Sequence, residues 1–186
     1  MQFAVDYLED LKETISGLDP VLIGRAADWL KEARDNGRMV FACGNGGSAA
    51  IAAQMVVDMV KGASYGHRAR FRMIGLADNV GTITAYANDV DYDSVFVEQL
   101  RNFAQKGDVL LAISGSGNSR NVLRAVEYAN SIGCRTIGLT RAGGGALKDL
   151  AALTLAVDNT HMGRLEDCFF VMTHILAYTF MEEAVE

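Results

Sequence analysis

The chain has 186 residues, half of them hydrophobic and 22% charged, with a formal net charge of −6. That size and apolar content are enough for one full hydrophobic core. The acidic balance, with no basic stripe, argues against direct nucleic-acid binding. Charges interrupt every apolar run before it could span a bilayer, so no membrane segment is expected.

The start, Met1-Gln2-Phe3-Ala4-Val5-Asp6, lacks the basic and apolar regions of a signal peptide. Cys43, Cys134 and Cys168 are widely spaced in apolar contexts and form no CxxC pair. They read as buried, reduced thiols, and the expected compartment is the cytoplasm. No linker, low-complexity tract or tandem repeat divides the chain. Residues 1–186 are therefore taken as a single domain, with N-terminal helices over 1–36 and an α/β core over 37–186.

Apolar groups at helical spacing (Val5, Leu8, Leu11, Ile15) predict a first helix over about 5–15. Asp19 as N-cap and Pro20 at the first helical position start a second, which Asn36-Gly37 ends. Strands and helices then alternate. Strands are expected at about 38–43, 71–76, 109–113, 135–139 and 153–157. Helices are expected at about 48–61, 80–87, 94–105 and 119–132, with a short one after Gly145 and a last one from about Arg164. The first, third, fourth and fifth strands are apolar runs without strict alternation, as expected of strands covered on both faces. Helices between them imply a parallel sheet with right-handed crossovers, with ligands beyond the carboxyl ends of the strands. The last helix carries apolar groups around most of its circumference, which predicts burial against another subunit as well.

Two loops stand at those carboxyl ends. Met39-Val40-Phe41-Ala42-Cys43 empties into Gly44-Asn45-Gly46-Gly47-Ser48, and Val109-Leu110-Leu111-Ala112-Ile113 into Ser114-Gly115-Ser116-Gly117-Asn118-Ser119. Glycine permits close backbone approach, while helix N–H groups and serine hydroxyls donate to an anion. Two such loops point to a phosphate-bearing ligand. The first also satisfies the G-x-G-x-x-A dinucleotide fingerprint through Ala49, which leaves a nucleotide-dependent oxidoreductase as an alternative. That reading needs an acid after the second strand, where Asp78 stands. Plain βα turns are the structural alternative, weaker for the loop with three serines.

With Leu139-Thr140 in the fourth strand and Glu166 and His174 on the last helix, these loops resemble the SIS (sugar isomerase) domain family, and within it the phosphoheptose isomerases. The resemblance covers essentially the whole chain. It implies a flavodoxin-like three-layer sandwich around a five-stranded parallel sheet, with two extra N-terminal helices. It also implies a homotetramer with active sites between subunits, converting sedoheptulose 7-phosphate to a manno-heptose 7-phosphate. By position, Ser48, Ser114, Ser116 and Ser119 would hold the phosphate. Asn45, Gly46, Gly47, Asp78, Asn118 and Glu166 complete the expected substrate site.

Ketose–aldose isomerisation removes a proton beside a carbonyl and returns one to the neighbouring carbon. The resemblance assigns those roles to Asp58 and His174, although Asp58 is shorter than the family's glutamate. Taken alone, Asp58 reads equally as a solvated or interface carboxylate, and His174, in an apolar run, as a core or interface histidine. Many phosphoheptose isomerases also hold zinc. The corresponding residues here are Gln54, Asp58, Glu166 and His174, and Gln54 replaces a histidine, a weaker donor set for that ion. A metal is left open. Some members are non-catalytic scaffolds that bind the bacterial replication initiator, and the small residues after Ser48 lean that way. His67, beside Arg68 and Arg70, reads as surface or substrate-rim chemistry.

Overall fold

The computed structural model describes residues 1–183. Helix α1 (Gln2–Ser16) is followed by α2 (Pro20–Asp35), whose start is set by Asp19: its Oδ1 accepts from the N–H groups of Val21 at 2.8 Å and Leu22 at 3.2 Å. On α2, Ile23, Ala26, Leu30 and Ala33 recur at helical spacing and are all buried, the stripe that holds it to the sheet. Each large apolar side chain buried this way contributes about 1.5–3 kcal/mol.

The five strands are β1 (Met39–Cys43), β2 (Arg72–Gly75), β3 (Val109–Ile113), β4 (Arg135–Arg141) and β5 (Leu153–Val157). They form one parallel sheet in the order β2-β1-β3-β4-β5, the flavodoxin-like order, as the resemblance implied. Alternate residues of a strand face opposite layers. Val40 and Ala42 join a core with α2, α3 (Gly47–Val57) and α8 (Met162–Met181), while Phe41 and Cys43 join one with α5 (Val97–Phe103) and α6 (Arg120–Ser131). Helices α4 (Val80–Asp89) and α7 (Leu147–Leu150) complete the connections. The buried Asp108 carboxylate ties the amino ends of β1 and β3, accepting from Met39 N–H at 2.9 Å and Gln105 N–H at 2.7 Å.

Three details differ from the sequence expectation. Strand β5 is an edge strand and alternates, with Leu153, Leu155 and Val157 buried and Thr154 and Ala156 half-buried. Thr140, expected just past the fourth strand, lies within β4. The helix after the first loop does not stay α-helical: at Asp58–Gly62 it widens into a π turn, closed by Ala63 N–H to Asp58 C=O at 2.8 Å. Such turns recur at functional sites.

All three cysteines are buried. Burial pushes the Cys43 thiol up to about 12 and those of Cys134 and Cys168 up to about 11. Since the thiolate is the reactive species, the folded protein should resist alkylation at pH 8. Labelling should become fast only once denaturant unfolds the chain; rapid modification of the native protein would contradict this burial.

Candidate active site

Strand β1 is hydrogen-bonded to β2 on one side and β3 on the other, so the order reverses between β1 and β3. Crevices at the carboxyl ends of such neighbours are where ligands bind in open α/β sheets. Both glycine loops emerge there side by side. Gly46 (φ 53°) and Gly117 (φ 70°) take the left-handed conformation that side chains disfavour. A Cβ on Gly47 would strike the Glu166 carboxylate, and one on Gly117 would strike the Gly144 carbonyl. The first contact brings α8 against the first loop. The second packs residues 141–146 onto the serine loop, where Leu147 N–H donates to Gly117 C=O at 3.0 Å and Ala146 N–H to Asn118 Oδ1 at 3.2 Å.

The resulting cleft encloses about 270 Å³. Asn45 and Ser48 line it from the first loop, Ser114, Ser116 and Ser119 from the second, and Met162 and Glu166 from α8. Ser114 and Ser119 hydroxyls lie 3.0 Å apart, and Ser116 Oγ accepts from Asn118 N–H at 3.2 Å. The backbone N–H groups of Gly115, Ser116, Ser119 and Arg120 donate to no protein acceptor among the described residues. With the start of α6, they make a concave nest of donors suited to an oxyanion. Among the described residues no lysine or arginine lines the cleft, so these hydroxyls and amides would carry anion recognition.

A second cluster lies further along the same two helices. Gln54 Nε2 donates to Asp58 Oδ1 at 3.0 Å, and His174 Nε2 stands 3.7 Å from Asp58 Oδ2. Asp58 Oδ2 is buried with no hydrogen-bond partner. At 3.7 Å the two are too far apart for a hydrogen bond, so a buried acceptor without a partner faces an imidazole nitrogen. Phe170 and Tyr178 flank the His174 ring at 6.1 and 6.2 Å.

The structure thus gathers Asn45, Ser48, Ser114, Ser116, Ser119 and Glu166 at one cleft, with Gly46 and Gly47 beneath it, and pairs Asp58 with His174. It does not bring the two groups together within one chain. Gly47 and Asp58 are eleven residues apart, about 16 Å along a helix, and Glu166 and His174 eight apart, about 12 Å. Asn118 faces away from the cleft to brace residue 146. Asp78 is exposed, with its carboxylate over Gly75, and does not line the cleft. This leaves the dinucleotide reading without its ribose-binding acid.

Within one chain the candidate zinc residues Gln54, Asp58, Glu166 and His174 are not all brought together. Among the described residues no three His, Cys, Asp or Glu side chains gather as a metal site. Gln54 presents its amide nitrogen, not its oxygen, to Asp58, and Glu166 lies two helical turns from His174.

A larger cavity, about 800 Å³, lies elsewhere, between the end of α2 and the 67–69 loop. It holds His67, which therefore does not line the serine-loop cleft of its own chain. Its buried Arg34 is already paired with Asp35 at 3.0 Å and Glu183 at 2.7 Å. It contains no counterpart of the serine loop, so the smaller cleft is the chemically equipped one.

Sequence reasoning did not single out Met162, Tyr92 or Asn121. Met162 forms a wall of the cleft. Asn121 and Tyr92 hydrogen-bond to Asn45 from 76 and 47 residues away, and no local pattern signals such a contact.

Comparison with known proteins agrees with this geometry. The SIS domain family model matches residues 5–141. A phosphoheptose isomerase of Nitratiruptor sp. is 41% identical over 145 residues, covering 78% of this chain and 77% of its own. One from Chlorobium phaeobacteroides is 36% identical over 172 residues, covering 91% and 76%. The structure of a phosphoheptose isomerase from Francisella tularensis superposes with a TM-score of 0.89 at 28% identity, covering 98% of this chain and 96% of that one. By its strand order, its paired loops and these relatives, the chain belongs to the SIS domain family, on its phosphoheptose isomerase branch.

Proposed function

We propose that this protein is an aldose–ketose isomerase that interconverts sedoheptulose 7-phosphate and a manno-heptose 7-phosphate. The observation that carries the reading is the cleft at the β1–β3 switch point, which four serines line and beside which four backbone N–H groups have no protein acceptor among the described residues. Its relatives are phosphoheptose isomerases. In this reading Ser48, Ser114, Ser116 and Ser119 hold the phosphate, and Asn45 and Glu166 bind sugar oxygens.

Asp58 is the base. Its Oδ2 takes the proton from C1 of the ketose, leaving an enediolate. His174 supplies a proton to C2, the proton of the C1 hydroxyl passes to the C2 oxygen so that C1 becomes the aldehyde, and the proton held by Asp58 then returns to His174. The buried, unpartnered Oδ2 and the imidazole 3.7 Å away support these roles. No step passes through a metal.

The separation of this pair from the cleft of its own chain supports a site completed by a second copy. So does the surface around the pair: Val57 is 56% exposed, Val60 43%, Ile175 44% and Tyr178 50%. Apolar groups so clustered mark an interface, and we assign the homotetramer to it. Light scattering at micromolar concentration should give about four times the chain mass. A monomer would remove the shared site from this reading.

The deciding experiment is an NMR assay for solvent deuterium entering sedoheptulose 7-phosphate beside its carbonyl. Exchange together with formation of the aldose phosphate is the expected result. Binding without exchange, with and without added zinc, would replace the enzyme by a non-catalytic phosphosugar-binding scaffold, the second reading that Gln54 favours. Soluble cytoplasmic placement belongs to the same proposal; no described helix is long and apolar enough to cross a membrane.

A further inference from the structure

The cleft contains one side chain whose hydrogen-bonding options are decided by residues outside it. Asn45 and Asn121 form a reciprocal amide pair: Asn45 Nδ2 donates to Asn121 Oδ1 at 2.9 Å, and Asn121 Nδ2 donates back to Asn45 Oδ1 at 2.8 Å. Asn121 is 2% exposed. The orientation of the pair follows from a backbone group. Val122 N–H can only donate, and it donates to Asn121 Oδ1 at 2.9 Å, so the oxygen of Asn121 must lie on that side and its nitrogen must face Asn45. A second acceptor position on Asn45 Oδ1 is taken by the Tyr92 hydroxyl at 3.0 Å. An amide oxygen has two lone pairs and an amide nitrogen two protons. Both lone pairs of Asn45 are therefore used, one of its protons is used, and one N–H remains for the cleft.

We infer that Asn121 and Tyr92 are positioning residues that make Asn45 a donor-only contact, selecting an acceptor oxygen of the ligand (a carbonyl, enediolate or hydroxyl lone pair) and excluding contacts that need Asn45 to accept. An isolated asparagine presents oxygen or nitrogen with equal ease. Here the buried partner removes that freedom before the ligand arrives, so no reorganisation is needed when negative charge grows on a sugar oxygen. The inference rests on the proposed isomerase reading for the identity of the ligand, and on the hydrogen-bond geometry for the rest.

The test uses Asn121→Ala and Tyr92→Phe in the full chain. Tyr92 is half-exposed at 53%, so its variant keeps the fold if the buried Asn121→Ala variant does not. Loss of one neutral hydrogen bond should lower kcat with sedoheptulose 7-phosphate roughly fivefold in Tyr92→Phe, and loss of the amide partner roughly tenfold or more in Asn121→Ala. Affinity for inorganic phosphate should not change in either. A purely structural role would lower thermal stability and leave kcat per folded molecule unchanged, which would overturn the inference. A second readout needs no substrate. In the ¹⁵N spectrum of the wild type, one Asn45 side-chain amide proton should exchange slowly with solvent and the other quickly, and Asn121→Ala should make both fast. Equal exchange in the wild type overturns the positioning role, whatever the enzyme assay shows. Failure of the wild type to bind or turn over sedoheptulose 7-phosphate would instead count against the isomerase reading alone.

Discussion

Asp58→Asn should lower isomerase turnover by about 10²–10⁴-fold, the range general-base catalysis typically supplies, while sugar-phosphate binding persists. Asparagine keeps the shape of the side chain and can still accept from Gln54 Nε2, which now donates at 3.0 Å. It removes the unpartnered Oδ2 that faces His174. Asp58 is not among the residues that line the serine-loop cleft, so affinity for inorganic phosphate should stay at the wild-type value. His174→Gln should produce a loss of similar size if the imidazole returns the proton. Because half of the His174 side chain is exposed in the single chain, neither change should unfold the protomer. Steady-state kinetics with calorimetric binding of the same ligand would decide it. Wild-type turnover in both variants would remove Asp58 and His174 from the chemistry.

The second large effect is expected at the serine loop. Replacing Ser116 with alanine removes a hydroxyl that can donate to a charged phosphate oxygen, which should weaken binding by about 1.5–3 kcal/mol. At 25 °C this is about a 10- to 150-fold rise in Kd. Ser116 is exposed on the loop and its hydroxyl accepts one local contact, from Asn118 N–H, so the melting temperature should not fall with affinity. Ser114→Ala makes the contrast. Ser114 is buried and its hydroxyl lies 3.0 Å from that of Ser119, so its loss disturbs the loop as well as the ligand. Unchanged affinity of Ser116→Ala for sedoheptulose 7-phosphate and inorganic phosphate would count against the phosphate assignment.

Local chemistry wrote much of this protein into its sequence. Asp19-Pro20 starts α2 because an N-cap carboxylate and a proline at the first turn act within four residues. The ends of β3 and β5 were read to the residue, because short apolar runs bounded by turn residues leave little choice of register. The two Gly/Ser loops were legible for the same reason: the glycines that permit tight βα turns and the hydroxyls suited to an anion are neighbours along the chain. Periodicity likewise showed that α8 has more apolar surface than one sheet face covers, and Ile175 and Tyr178 are indeed exposed.

What depends on distant parts of the chain was decided only by the tertiary structure. Strand order put the two loops side by side at one switch point, and left Asp78, placed at a carboxyl end by the same sequence logic, exposed and outside the cleft. The packing of α8 on α3 set Asp58 against His174, 116 positions later, yet kept that pair two to three turns from the serine loop of its own chain. The π turn at Asp58 has no periodic signature, because a single widened turn barely alters helical spacing. Asn45 carries no mark in the sequence of whether it will donate or accept. That choice was made by Val122 N–H acting through Asn121, since an amide can be oriented only by partners the fold brings to it, and hydrogen bonds reach about 3 Å through space regardless of separation along the chain.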